Sequence, residues 1–396
     1  MGPRSFGAAL SAFPLRCAYI ESSQFDKSND RSAMQNNFNH TRLMRSFGWL
    51  VHAQPNIWID LGKLETRFFK DRLEKTPLES PIYVTGLARA GTTLLLSILE
   101  SHEKLTSFKY CDYYGVFTPI LADRLFRAMG LGDANKRERA HDDGMMVNAY
   151  SPEAMEEILW MQFFDYLHDT TTSNVVTAKT EHAEFESVYR QTLKKLLLCR
   201  NAERIVSKNN YNITRIAYLA KMYDDARFVI AVRHPLDHIA SIVRQHQLNL
   251  EQFSTASHLS YLRNAGHFEF GSGRIPIALA VDKTRYIQEL WDQGRDVEGW
   301  AEYWNSVYAW AHDEILQNDE LNTRCIVVPF EQLCADAEPK ITDILAFCNL
   351  DTADGWVGDW VAKIDYQPKY FAPFTAEERE VIMGICGETA ARYGYR

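Results

Sequence analysis

Residues 85–94 read TGLARAGTTL: Thr85, Gly86, Leu87, Ala88, Arg89, Ala90, Gly91, Thr92, Thr93 and Leu94. The glycines at 86 and 91 and the hydroxyl at 93 match the P-loop spacing G-x-x-x-x-G-K-[ST], in which the lysine after the second glycine reaches the β- and γ-phosphates. Thr92 occupies the lysine position, so the loop lacks the cation that reads a triphosphate. The stretch follows a short apolar run, Ile82-Tyr83-Val84, and leads into TTLLLSILESH. Strand, loop and helix in that order present backbone N–H groups and a positive helix end to one anionic group.

The surrounding chain has 396 residues, 46% of them hydrophobic and 24% charged, which suits one large α/β domain or two smaller ones. A formal net charge of -9 argues against a nucleic-acid partner, because phosphate-backbone binders carry excess Lys and Arg. Any anion site is therefore local. The seven cysteines show no CxxC and no paired spacing; they read as reduced thiols of a cytoplasmic protein, not as a zinc site or disulfide framework. No window approaches ~20 uninterrupted apolar residues, so no transmembrane segment is expected.

Residues 1–40 lack sustained periodicity and are expected to form a flexible N-terminal arm, leaving 41–396 as a single domain. Helical patterning over 41–73 breaks at Pro55. Further helices are predicted at 118–130, 152–168, 183–200, 212–223, 236–246, 297–316, 338–349 and 375–393. Apolar runs at 204–207, 227–232 and 325–329 read as strands. Strands alternating with helices predict an α/β fold, with a central, mostly parallel sheet flanked by helices and a P-loop-like loop.

A P-loop enzyme that uses ATP holds Mg²⁺ through an Asp at the end of a neighbouring strand. Here the strand RFVIAV (227–232) runs into Arg233, and Ser241 follows eight residues later. A cation in that place repels a metal, and guanidinium with hydroxyl can clamp a second phosphate. The implied ligand has two separate anionic ends and needs no metal.

The two elements together, ARAGTT (88–93) and Arg233…Ser241, resemble the 3′-phosphoadenosine 5′-phosphosulfate (PAPS)-dependent sulfotransferases, most closely bacterial-type members. In that family the 5′ loop has the form P-[KR]-S-G-T-T, and the 3′-phosphate element is an Arg at a strand end with Ser eight residues on. The likeness extends through SKNN (207–210), YDDARF (223–228), GWAEYW (299–304) and PFEQL (329–333), covering roughly residues 80–396. It implies PAPS as co-substrate, bound by Arg89, Ala90, Gly91, Thr92 and Thr93 on the 5′ side and by Arg233 and Ser241 at the 3′-phosphate. Arg89 and Lys208 would then act on the transferring group. The implied acceptor is a hydroxyl or amine of a small molecule, lipid or glycan.

Departures from the family pattern affect the chemistry. Ala88 and Ala90 replace the usual Pro and Ser, and Asn210 stands two residues after Lys208, where cytosolic eukaryotic members carry a His base. The base is expected first at Asp112, about two dozen residues past the loop as in carboxylate-using relatives, then at Glu153, Glu156 or Glu157, then at Glu181 or His182.

Plainer readings stand beside these. Lys208 could be a solvated lysine, and His234 with His238, four apart but lacking a third ligand, reads as structural. Trp300, Tyr303, Trp304, Val307, Tyr308 and Ala311 share one helix face and read as core, with polar tips able to reach a pocket. GHFEFGSGR (266–274) is either a surface loop or a lid whose His267, Glu269 and Arg274 contact the acceptor, with Glu153 and Glu157 as further contacts. Lys369 could reach the 3′-phosphate or simply be a surface lysine. An atypical P-loop kinase and a catalytically inactive nucleotide-binding protein are the competing functions. Binding of magnesium-ATP would favour the first.

Overall fold

Short apolar strands buried along nearly their whole length, and so covered on both faces, dictate the architecture. The computed structural model describes residues 54–128, 137–138, 146–252, 255–351, 355–364 and 374–395; the arm expected at 1–40 and Lys369 lie outside them. Leu50–Arg396 forms one compact unit. Its five-stranded sheet consists of β1 (Ile82–Thr85), β2 (Leu105–Thr106), β3 (Arg204–Lys208), β4 (Arg227–Val232) and β5 (Cys325–Pro329), in the order β2-β3-β1-β4-β5. Every pairing in it is parallel, so the sheet is an α/β sheet with helices over both faces, as the alternation predicts.

Successive side chains of a strand point to opposite faces, and the two main cores separate accordingly. Tyr83, Ile205, Phe228, Ile230 and Val232 enter one core; Ile82, Val84, Val206, Val229 and Ala231 enter the other. The helices used below are α1 (Pro55–Phe68), α2 (Thr92–Glu100), α3 (Pro119–Ala128), α4 (Ala183–Arg200), α5 (Pro235–Gln252), α6 (Asp296–Trp310) and α7 (Ala376–Arg392). The Trp/Tyr stripe of α6 is core: Trp300, Tyr303, Trp304, Val307 and Tyr308 are all buried against the first face.

Two expectations shift. The helix predicted over 152–168 shrinks to Glu157–Met161, because the backbone before it is committed elsewhere: Cys111 N–H donates to Ala149 O and Glu153 N–H to Phe108 O. Helix 236–246 extends instead to Gln252. β2, at two residues, is too short to leave a periodic signal.

Topology fixes where a ligand can bind. β1 is central, the chain first builds towards β2 and β3 on one side, and β4 and β5 then extend the other. Parallel sheets bind ligands beyond the carboxyl ends of their strands at such a reversal. The loop after β1, Lys208 at the end of β3 and Arg233 after β4 all lie there.

The turn out of β1 needs a residue without a side chain. Gly86 adopts φ 132°, and a Cβ there would lie 2.4 Å from Ala231 O, a carbonyl fixed in the β4 ladder. Gly86→Ala is expected to lower stability by at least about 1–3 kcal/mol, the range for one strained backbone residue. A chemical denaturation midpoint equal to wild type would contradict this account of the turn.

Candidate functional site

The loop between β1 and α2 is held by its backbone. Ala90 N–H donates to Leu87 O at 3.1 Å, Arg89 adopts the left-handed φ of 74°, and Gly91, at φ 99°, begins α2 with no side-chain cap. The first N–H groups of a helix have no intrahelical acceptors, so an uncapped start beside a tight loop is a cradle for an anion. Gly91 also makes room for a neighbour: a Cβ there would lie 2.5 Å from a Phe330 ring carbon.

Two residues of α6 support this cradle across the sheet end. The Tyr308 hydroxyl donates to Ala231 O at 3.0 Å and accepts from Leu87 N–H at 3.2 Å. Trp304 Nε1–H donates to His238 Nδ1 at 3.1 Å, and His238 Nε2 lies 2.9 Å from Ala88 O. A carbonyl can only accept, so His238 is the neutral tautomer protonated at Nε2. Burial pushes its pKa down to about 3, assisted by the charges of Arg233 and Arg89. Below the ordinary value of 6.5 the unfolded chain takes up a proton that the folded ring refuses, so this group's contribution to stability falls as pH drops from there towards 3. The structural reading of His238 stands, and its role is to hold the loop.

The second element faces the first. Arg233 is 8% exposed; its guanidinium lies over the Phe330 ring at 4.8 Å and donates to Arg89 O at 3.4 Å, while its Nε is buried without a hydrogen-bond partner. Arg89 Nε donates to Ser241 Oγ at 3.2 Å. Glu331, from the PFEQL stretch, fixes the turn by accepting from His234 N–H at 3.0 Å and from the Tyr395 hydroxyl at 2.7 Å. Arg89, Arg233 and Ser241, distant in sequence, are thus brought together.

On the other side of β1 lies a cluster of mixed charge. Thr92 Oγ1 donates to Asn210 Oδ1 at 3.3 Å, and Asn210 Nδ2 donates to Glu269 Oε1 at 2.8 Å. His267 Nδ1 lies 3.8 Å from Glu269 Oε2. Burial would push the imidazole down, but the bond to Glu269 and the charges of Glu269 and Glu153 outweigh it and raise its pKa above 6.5. Burial likewise opposes ionisation of Glu153, yet Lys208 and His267 hold that carboxylate at about 2. Glu269 is lowered against burial by its bond to His267 and by the charges of His267 and Lys208. A cavity beside the cluster is walled by Leu87, Ala88, Ile242, Phe270, Trp300 and Tyr303.

Three expected site residues are engaged in the framework. Asp112 is 1% exposed, takes Arg200 Nη2 on both oxygens at 2.6 Å and accepts from Lys109 N–H at 2.7 Å. Those bonds fill most of the acceptor sites of the carboxylate, a structural engagement that weighs against its expected role as base. Glu157, expected to contact the acceptor, is clamped by Arg215 at 2.7 and 2.8 Å, with His168 and Asn209 each at 2.7 Å. Arg215 overcomes the burial penalty and holds it at about 2. Glu156 is equally committed, to Trp160, Ser207 and Asn212. Among the described residues no group of three His, Cys, Asp or Glu could hold a metal ion, and no helix is long and apolar enough to cross a membrane.

Asp112→Asn should therefore act on stability. Removing one partner of a buried pair costs roughly 3–5 kcal/mol, read as a lowered unfolding midpoint. A normal midpoint combined with lost turnover would restore Asp112 as the base.

Residues 81–268 match the profile described as the Sulfotransferase family. No curated protein matches the chain. Among solved structures the chain is similar to a sulfotransferase from Mycobacterium tuberculosis, at 16% identity and TM-score 0.45, covering 82% of this chain and 81% of that one. A sulfotransferase from Mycobacterium avium aligns at 14% identity and TM-score 0.49, covering 84% and 82%. The matched residues 81–268 span the phosphate loop, the Arg233–Ser241 element and His267, and over them the chain is similar to the sulfotransferase family.

Proposed function

We propose that the protein transfers a sulfuryl group from PAPS to a hydroxyl or amine of a small-molecule, lipid or glycan acceptor, without a metal. The observation that carries this reading is the pair of facing anion sites: an uncapped helix start in the loop after β1, and Arg233 with a buried, unpartnered Nε. PAPS offers a phosphosulfate to the first and a 3′-phosphate to the second. It has no γ-phosphate, so the position of Thr92 needs no lysine. The free thiols among the described residues support a cytoplasmic setting.

The residues divide the chemistry as follows. Backbone N–H groups of Gly91, Thr92 and Thr93 hold the 5′ phosphate, and Arg89 and Lys208 balance the charge that grows on the leaving oxygen as the S–O bond breaks. His267, oriented by Glu269, accepts the proton of the attacking hydroxyl. It suits that task better than Glu153, because a general base works best with a pKa near the operating pH, and Glu153 sits at about 2.

A pH profile tests the base. His267 must be neutral to accept a proton, and its pKa is raised above 6.5, so turnover should climb as pH rises through a value above 6.5. Glu269→Gln removes the raising partner and should move that limb to lower pH. His267→Asn should lower turnover by ~10²–10⁴-fold, the usual worth of a general base. A limb unmoved in Glu269→Gln would sink the assignment.

Donor recognition has a separate test. Arg233→Ala should weaken adenosine 3′,5′-bisphosphate by about 10- to 150-fold, the equivalent of one charge-assisted hydrogen bond, while adenosine 5′-phosphate changes little. Titration calorimetry with both ligands reads the difference. Equal losses would mean that Arg233 only holds the fold.

A further inference from the structure

His267 owes its direction to the backbone around it, and that backbone is held at three successive peptide groups. His267 N–H donates to Leu262 O at 2.8 Å, and Ile275 N–H donates to Phe268 O at 2.7 Å. Between them, Phe268 N–H donates to the Tyr211 hydroxyl at 3.1 Å. A peptide group is planar, so only φ and ψ stay free at each residue. Holding the planes on both sides of His267 therefore fixes its Cα–Cβ bond and leaves the imidazole a few staggered rotamers. Two of the three bonds run from backbone to backbone. The one on the C-terminal side of His267 depends on a single phenol.

That phenol is itself well fixed. Tyr211 stands in the 3₁₀ turn Asn210–Thr214 after β3, is 5% exposed, and donates its own N–H to Asn209 Oδ1 at 3.0 Å. Its ring meets the His168 ring edge-on at 4.7 Å. His168, bonded to Glu157, also lies 4.1 Å from the Phe268 ring. Burial pushes the pKa of Tyr211 well above 10, so the hydroxyl is a neutral partner whose removal alters geometry and not charge. The adjacent Asn210 donates to Glu269 Oε1 at 2.8 Å. Neighbouring residues of one turn thus hold the peptide after His267 and the carboxylate that faces its ring.

We infer that Tyr211 is a positioning residue for the reaction, its hydroxyl keeping the His267 imidazole turned towards Glu269. The inference rests on the reading of His267 as the base. The charged groups around that imidazole are Glu269 on its own segment, Glu153 before the helix Glu157–Met161, and Lys208 at the end of β3. Tyr211→Phe leaves every one of them in the chain, so a change in how His267 titrates would report its orientation.

NMR titration of the His267 imidazole in full-length wild type, Tyr211→Phe and Glu269→Gln tests this without needing turnover. In Tyr211→Phe the ring should titrate at lower pH than in wild type, moving in the same direction as in Glu269→Gln. Turnover should fall by ~10- to 100-fold, the order of loss that a misplacement of ~1 Å causes, while affinity for adenosine 3′,5′-bisphosphate stays at the wild-type value. A His267 titration unmoved in a folded Tyr211→Phe overturns the inference and leaves the base standing. Full turnover in His267→Asn would instead remove the base, and the part of Tyr211 in the reaction with it. Should Tyr211→Phe not fold, hydrogen exchange on wild type decides: the Phe268 amide should exchange as slowly as that of Ile275, and exchange at the rate of an open loop overturns the inference.

Discussion

The site rests on the way two peptide groups of the loop after β1 are pinned from behind. The Tyr308 hydroxyl takes the N–H of Leu87, and the His238 imidazole takes the carbonyl of Ala88. In a trans peptide the carbonyl and the following N–H point in opposite directions, so fixing Ala88 O towards His238 turns the next N–H away from it. The left-handed turn at Arg89 persists only because its surroundings over-determine it. Tyr308 also bonds the last turn of the β4 ladder at Ala231 O, which ties loop geometry to sheet geometry. A ligand-binding loop supported this way keeps its donors aimed before any ligand arrives, and pre-organised donors cost no reorganisation at the moment of reaction.

Buried carboxylates perform the second structural task. Asp112, Glu156 and Glu157 each join segments that secondary structure leaves unconnected: Asp112 with Arg200 of α4, Glu156 with Ser207 and Asn212, Glu157 with Arg215 and Asn209. A buried carboxylate is tolerable only when its oxygens find partners: arginines for Asp112 and Glu157, and Trp160, Ser207 and Asn212 for Glu156. The stretch from 148 to 157 therefore behaves as a strap tied to β3 and the turn after it, not as the helix its pattern suggests. What distinguishes Glu153 and Glu269 is their place beside Lys208 and His267.

How much of this was legible in the sequence follows from the range of each signal. Strand, loop and helix around residues 82–100 are local, and so is the eight-residue spacing of Arg233 and Ser241; both could be read directly. Tyr308 and His238 could not be tied to the loop, because the bond from Leu87 to Tyr308 spans 221 positions and depends on how α6 crosses the sheet. The base was sought at Asp112 by distance along the chain from the loop, and Arg200, which occupies that carboxylate, lies 88 positions away. His267 and Glu269 did give a signal, as polar residues in a Gly-rich break, but their orientation to one another comes from Asn210.

β5 joins the sheet only after residue 324, well past the segment that carries the family profile. It pairs with β4 along Phe228–Val232, and in its absence that run of five apolar residues would be an outer strand with unpaired N–H and C=O groups. Such an edge is a template for pairing with other chains. The same truncation would take away Trp304, Tyr308, Phe330 and Glu331. A fragment ending near 268 would thus present an aggregation surface and an unsupported loop together. Cover for the β4 edge and support for the loop both come from the C-terminal half, and trimming it removes the two together.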